Sequence, residues 1–124
     1  QEEKTSVEAF VHSNLSFFGI DSKTEDSSAV DLEVTKITSG NFTPEIAQAV
    51  LKASTSSASI WHISPLQDYL YMNKAYWLDD ASNERINIPG TVNQFNWTYR
   101  LPVELGDLSE DNELIEKIKE ISKR

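Results

Sequence analysis

The chain has 124 residues, 39 % of them hydrophobic, enough for one compact domain with a modest core or for part of a larger one. Its net charge of −9 repels phosphate backbones and anionic lipid heads, so nucleic acid and membrane surfaces are not expected partners, while neutral ligands such as sugars stay open. There is no cysteine, which excludes disulfides, thiolate metal sites and a cysteine nucleophile, and no apolar run approaches the roughly 18–20 residues that span a bilayer.

No signal-peptide pattern opens the chain. It begins on Gln1 rather than Met, as expected of a processed or excised piece. The first helix is expected from Thr5, with Thr5 and Glu8 at capping-box spacing. Val7, Phe10, Val11, Leu15 and Phe18 recur at helical steps, and Gly19 is the natural stop. Ser22 to Ser28 reads as a loop. Val30, Leu32 and Val34 alternate with Asp31 and Glu33, which suggests a short half-buried strand, with a helical turn as the alternative; Ser39, Gly40 and Asn41 end it.

A second helix is expected from Thr43 at N-cap and Pro44 at N1, with Ile46, Ala47, Val50 and Leu51 as its apolar face and an end near Ser54. Ser59 to Ser64 is short, apolar and rich in β-formers, and reads as a buried strand. Helix, loop and buried strand in that order predict a βαβ-type connection and a parallel sheet. Pro65 to Met72 is expected to form a helical turn or two. Asn73 to Asn96 is long, polar and rich in turn formers, which reads as a functional or a disordered loop, and its aromatics argue against simple disorder. The last helix is expected over 109–124, with Leu114, Ile115, Ile118 and Ile121 as its buried stripe and charges that suit the helix dipole.

The residues able to carry chemistry are few. His12 and His62 are fifty positions apart with no carboxylate at metal-ligand spacing, and no metal or other cofactor is expected. His12 reads as a surface or packing residue, and His62 as a core histidine or one facing a pocket. Gln67 and Asp68 follow the expected strand, where they could hydrogen-bond sugar hydroxyls or cap a helix. Arg85 and Asn87 precede Pro89 and Gly90, whose tight turn would let backbone approach a ligand. Trp97 and Tyr99 could stack on sugar faces or fill the space beneath the loop. Asp79 and Asp80 read as solvated loop carboxylates.

Three blocks in order, Pro65-Leu66-Gln67-Asp68, then Glu84-Arg85-Ile86-Asn87-Ile88-Pro89-Gly90-Thr91, then Asn96-Trp97-Thr98-Tyr99-Arg100-Leu101, resemble the C-terminal portion of the family 77 4-α-glucanotransferases. The resemblance is good from about Thr43 to Leu108. It implies an α/β fold in which this chain is a single segment, about the last two strand-helix units of a (β/α)8 barrel, rearranged or self-associated when isolated. It also implies cytoplasmic carbohydrate metabolism and retaining transfer of α-1,4-glucan segments between maltooligosaccharides or glucans. That chemistry needs a nucleophilic and an acid/base carboxylate. In the family these stand on middle strands, with a third aspartate in a His-Asp motif. Here His12 is followed by Ser13 and His62 by Ile63, so no catalytic residue carries over and the isolated chain is expected to be inactive. Asn87 matches the family's sugar-facing asparagine; Gln67, Asp68 and Arg85 match residues near that end of the barrel, and Asn96, Trp97 and Arg100 match a block that supports the loop and closes the barrel, with Trp97 also a candidate substrate contact. The expected partners are an α-1,4-glucan or maltooligosaccharide and either the remainder of the barrel or a second copy. The alternatives are a non-catalytic glucan-binding module using Trp77, Trp97 and Tyr99, and an interaction piece docking through its last helix.

Overall fold

The structure, a computed structural model, describes residues 2–23 and 26–123. In chain order it holds α1 (Glu2–Ser13), a 3-10 turn (Leu15–Phe18), α2 (Ser27–Ser39), α3 (Pro44–Thr55) and the short α4 (Leu66–Leu70). Two further 3-10 turns follow (Lys74–Tyr76 and Ala81–Glu84), then α5 (Leu105–Glu110) and α6 (Asn112–Ser122). No strand occurs among the described residues. The expected α/β barrel portion, with its parallel sheet, is therefore corrected to an all-helical arrangement.

Both expected strands fail for identifiable reasons. Val30 and Val34 are four apart, and with Ile37 they complete a helical stripe against Val11, Ile20, Leu15 and Phe18, while Leu32 points to solvent. Positions i and i+4 satisfy both periods, and the exposure of Leu32 at i+2 with Ile37 at i+7 decides for the helical one. Asp26 starts this helix, its side chain accepting from the Ala29 amide at 2.9 Å. The second failure is Ser59 to Ser64, which is irregular and open: Ile60 is 83 %, Trp61 81 % and Ile63 89 % exposed. A strand needs a neighbour to satisfy its backbone, and the described residues offer none.

Helix ends also differ in part. The first helix begins at Glu2, which puts Thr5 and Glu8 inside it rather than at a cap, and Glu8 pairs with Lys4 at 3.8 Å. Gly19, with φ +76°, ends the Leu15–Phe18 turn rather than α1 itself. α3 starts as expected: the Thr43 hydroxyl accepts from the Ile46 amide at 3.3 Å and Pro44 occupies the first turn. Its buried residues are Ala47, Ala49, Leu51 and Ala53, a wider set than one stripe, because α3 is packed on several sides, by α6, α4 and the Leu15–Phe18 turn. The terminal helix is capped by Asp111, not Ser109; Ser109 lies in α5.

Buried side chains form two clusters among the described residues. Val11, Ile20, Val30 and Val34 join α1 to α2, and Ala47, Leu51, Leu70, Met72, Leu114 and Ile121 join α3, α4 and α6. The second cluster holds α4 in place, and α4 carries the residues from which the loops are hung. Asp111 ties the same region together: it accepts from the Leu114 amide (3.0 Å), the Tyr76 hydroxyl (2.6 Å) and the Asn73 amide (3.1 Å). Asp111→Ala is expected to lower stability by about 1–2 kcal/mol, the usual cost of losing an N-cap, whereas Ser109→Ala is expected to stay within about 0.5 kcal/mol; urea denaturation of the two variants checks where α6 begins.

Candidate functional site

The site is built from α4 outward. Pro65 starts α4 with an extended backbone and no side-chain cap, so neither Gln67 nor Asp68 serves as the helix cap. Gln67 points inward and is only 8 % exposed. Its side-chain amide donates to the Glu84 carbonyl at 2.6 Å and lies 3.0 Å from both the Glu84 carboxylate and the Tyr71 hydroxyl. The Glu84 carboxylate also accepts from the Leu78 amide at 2.7 Å and, more weakly, from Tyr71 at 3.4 Å. One glutamate thus fastens α4 to the loop on either side of the Ala81–Glu84 turn.

Beyond Glu84 the loop closes on itself. Arg85 is extended and exposed. The Ile86 carbonyl accepts from the Trp97 amide at 2.8 Å, and the Ile88 amide donates to the Asn96 side chain at 2.9 Å. Ile88 to Thr91 is a tight turn, closed by a 3.2 Å bond from the Thr91 amide to the Ile88 carbonyl. Pro89 presets its second position and Gly90, φ +76°, its third, the signature of a type II turn. The Asn96 amide group reaches back to the Thr91 carbonyl at 2.9 Å, and Asn93 accepts from the Phe95 and Asn96 amides. Asn87 therefore sits between two bonded neighbours. It is half-buried, and no hydrogen bond to its side chain forms among the described residues.

Trp97 is 74 % exposed and adopts φ +66°, a left-handed conformation that costs a bulky residue about 1–3 kcal/mol. The bond to Ile86 holds it there. Tyr99 is half-buried, and burial together with the Glu84 charge raises its phenol above the usual range. Trp77 does not share an open face with Trp97: it stacks on Phe42 at 5.7 Å, meets Tyr71 edge-on, and donates to the Tyr71 carbonyl at 3.1 Å.

Asp68 belongs to a second grouping. It lines a cavity of about 270 Å³ with Phe42, Val50, Ser64 and Tyr71. Burial pushes its carboxyl above the ordinary range, against the pull of the Ser64 hydroxyl and the His62 ring. His62 is bonded to Ser64 at 2.9 Å and lies in the open 59–64 segment rather than in a core strand. His12 faces Asp31 at 3.3 Å on the surface of α1 and α2. Asp79 is exposed, and Asp80 caps the 81–84 turn through the Ser82 amide at 2.8 Å. The structure thus brings Gln67 to Glu84, just before the Arg85–Asn87 stretch, and Trp97 to Ile86 within it, while Asp68 lines the cavity beside Tyr71. Glu84 and Tyr71 were not singled out by the sequence, because their roles arise from contacts 17 and 13 residues apart. Among the described residues no cluster of His, Cys, Asp and Glu could hold a metal ion, and no helix is long and apolar enough to cross a membrane.

Residues 5–105 match the profile of the glycoside hydrolase family 77 4-alpha-glucanotransferases. The chain belongs to that family. A 4-alpha-glucanotransferase of Chlamydia pneumoniae is 40 % identical over 80 residues, covering 62 % of this chain and 15 % of that protein. The rice 4-alpha-glucanotransferase DPE2 is 37 % identical over 79 residues, covering 64 % of this chain and 8 % of that protein. A Chlamydia muridarum 4-alpha-glucanotransferase is 34 % identical over 77 residues, 59 % of this chain and 15 % of that protein. The family member described here therefore spans a small part of the length of these relatives. No solved structure matches it significantly.

The loop's phenols set an alkaline limit. Burial, then the Glu84 charge, pushes Tyr71 up to about 12; the hydrogen bond to Asp111, then burial, pushes Tyr76 up to about 12. Both hold their protons more tightly folded than unfolded, so their contribution is whole below pH 10 and is lost as the pH rises through about 12. Thermal midpoints followed with phenolate absorbance should fall across that window, and Asp111→Asn should bring one phenol's titration back toward 10 while leaving Tyr71 high.

Proposed function

We propose that this chain supplies a glucan-contacting loop to a 4-alpha-glucanotransferase, which passes α-1,4-glucan segments between maltooligosaccharides with retention of configuration. The observation that carries this reading is the setting of Asn87. Its backbone neighbours are fixed by the bonds to Trp97 and Asn96, and its own amide is left to other partners. An amide presents a donor and an acceptor together, which suits a pair of sugar hydroxyls. Arg85 adds donors on one side, and the exposed Trp97 ring offers an apolar surface on which a pyranose face can stack. Gln67 supports this group from behind, and Asp68 provides an acceptor at the neighbouring cavity.

On this reading the catalytic carboxylates belong to other parts of a longer transferase, acting in the cytoplasm. Without them no covalent glycosyl intermediate forms. The purified chain should therefore bind maltotetraose by calorimetry without producing glucose or longer glucans from maltotriose, and Asn87→Ala should weaken that binding about tenfold, the loss of one well-placed hydrogen bond to a buried hydroxyl. Disproportionation by the isolated chain, or unchanged binding in the variant, contradicts the reading. Ile60, Trp61 and Ile63 leave a large apolar stretch in water, and we propose that a second copy or the rest of the transferase covers it. A monodisperse monomer by light scattering speaks against self-association.

A further inference from the structure

We infer that Glu84 is the positioning residue of the Arg85–Asn87 stretch, a role that rests on the glucan-contact reading of Asn87 and deepens it. Three observations converge. Glu84 joins segments distant in sequence: its carboxylate takes the Leu78 amide at 2.7 Å and the Gln67 amide at 3.0 Å, and its carbonyl takes Gln67 at 2.6 Å. Gln67 has its side-chain amide group directed wholly at this one joint and at Tyr71, and is buried to do so. A buried amide without its acceptor is costly, so Gln67 and Glu84 hold each other in one arrangement. Finally, Asn87 lies three residues past Glu84, and the far side of its loop is closed separately by Asn96 and Trp97. The near side of the loop is fixed to α4 through Glu84, and α4 is fixed to the core by Leu70.

A carboxylate is needed because its donors approach from two different directions. One oxygen faces the Leu78 amide; the other faces Gln67 and Tyr71. Glutamine in its place keeps one acceptor oxygen and turns an amide group on the other donor. Glu84→Gln should then hold the loop in part, and Glu84→Ala should release it. Glu84 acts through the backbone and touches no sugar in this scheme, so it is not a catalytic residue.

The experiment uses the full chain. The side-chain amide resonance of Asn87 and the indole resonance of Trp97 are recorded without glucan for the wild type, Glu84→Ala and Glu84→Gln, with far-UV circular dichroism as the check on helix content. The expected result is an unchanged helical spectrum, Asn87 resonances displaced or broadened in Glu84→Ala, and a smaller displacement in Glu84→Gln. Affinity for maltotetraose should drop roughly tenfold in Glu84→Ala, as much as in Asn87→Ala, because the released loop no longer holds the Asn87 amide in place for its hydrogen bond. Unmoved Asn87 resonances in Glu84→Ala overturn the inference, as does a loss of thermal stability with those resonances in place. If Glu84→Ala fails to fold, Glu84→Gln decides by the same resonance. Absence of glucan binding in the wild type would instead sink the reading of Asn87, while the glucan-free resonances still decide the role of Glu84.

Discussion

The joint between Gln67 and Glu84 is the constraint on which the site depends. A buried side-chain amide N–H needs an acceptor, and for Gln67 the acceptors lie mainly on a glutamate 17 residues away. Satisfying Gln67 fixes where the chain passes after α4, and Leu78 is pinned by the same carboxylate. Everything from Arg85 to Trp97 is then hung from one rigid point. The loop needs no strand to support it, since its own asparagines and the Pro89-Gly90 turn close the remaining bonds.

The helical scaffold sets that point in space through ordinary packing. Leu70 and Met72 bury against Leu51, Leu114 and Ile121, so α4 is held by α3 and α6 despite having only five residues. An isolated helix so short is unstable in water, and tertiary contact is what keeps it. Asp111 links the start of α6 to Asn73 and Tyr76 and so ties the other end of the long loop to the same cluster. The N-terminal pair α1 and α2 has its own cluster, and the Leu15–Phe18 turn between them packs on α3. Family membership over residues 5–105 includes that pair as well as the loop.

Local signals were legible where the answer was local. Thr43 and Pro44 announce α3, and Gly90 after Pro89 announces its turn. The order of the three blocks around Gln67, Arg85 and Trp97 pointed to the family that the profile match gives. Strand assignments failed because they require a partner that sequence pattern does not supply: Val30 and Val34 found Val11 and Ile20 across a helix pair, and Ile60 to Ile63 found no ladder among the described residues. Glu84 stayed hidden within its block because a glutamate in a polar loop looks solvated until Gln67 is seen beneath it. The split between Gln67, which meets Glu84, and Asp68, which lines the cavity, was equally hidden, since adjacent residues on a short helix face different ways.

The central claim, that the loop closed between Glu84 and Trp97 is what meets the glucan, is tested most directly by mapping amide shift changes during a maltooligosaccharide titration of the ¹⁵N-labelled chain. The account predicts that the changes gather on Arg85 to Trp97, with the Asn87 side chain and the Trp97 indole among the largest. Changes confined to Ile60 and Trp61 or to the α1–α2 pair, or no changes at saturating sugar, would contradict it.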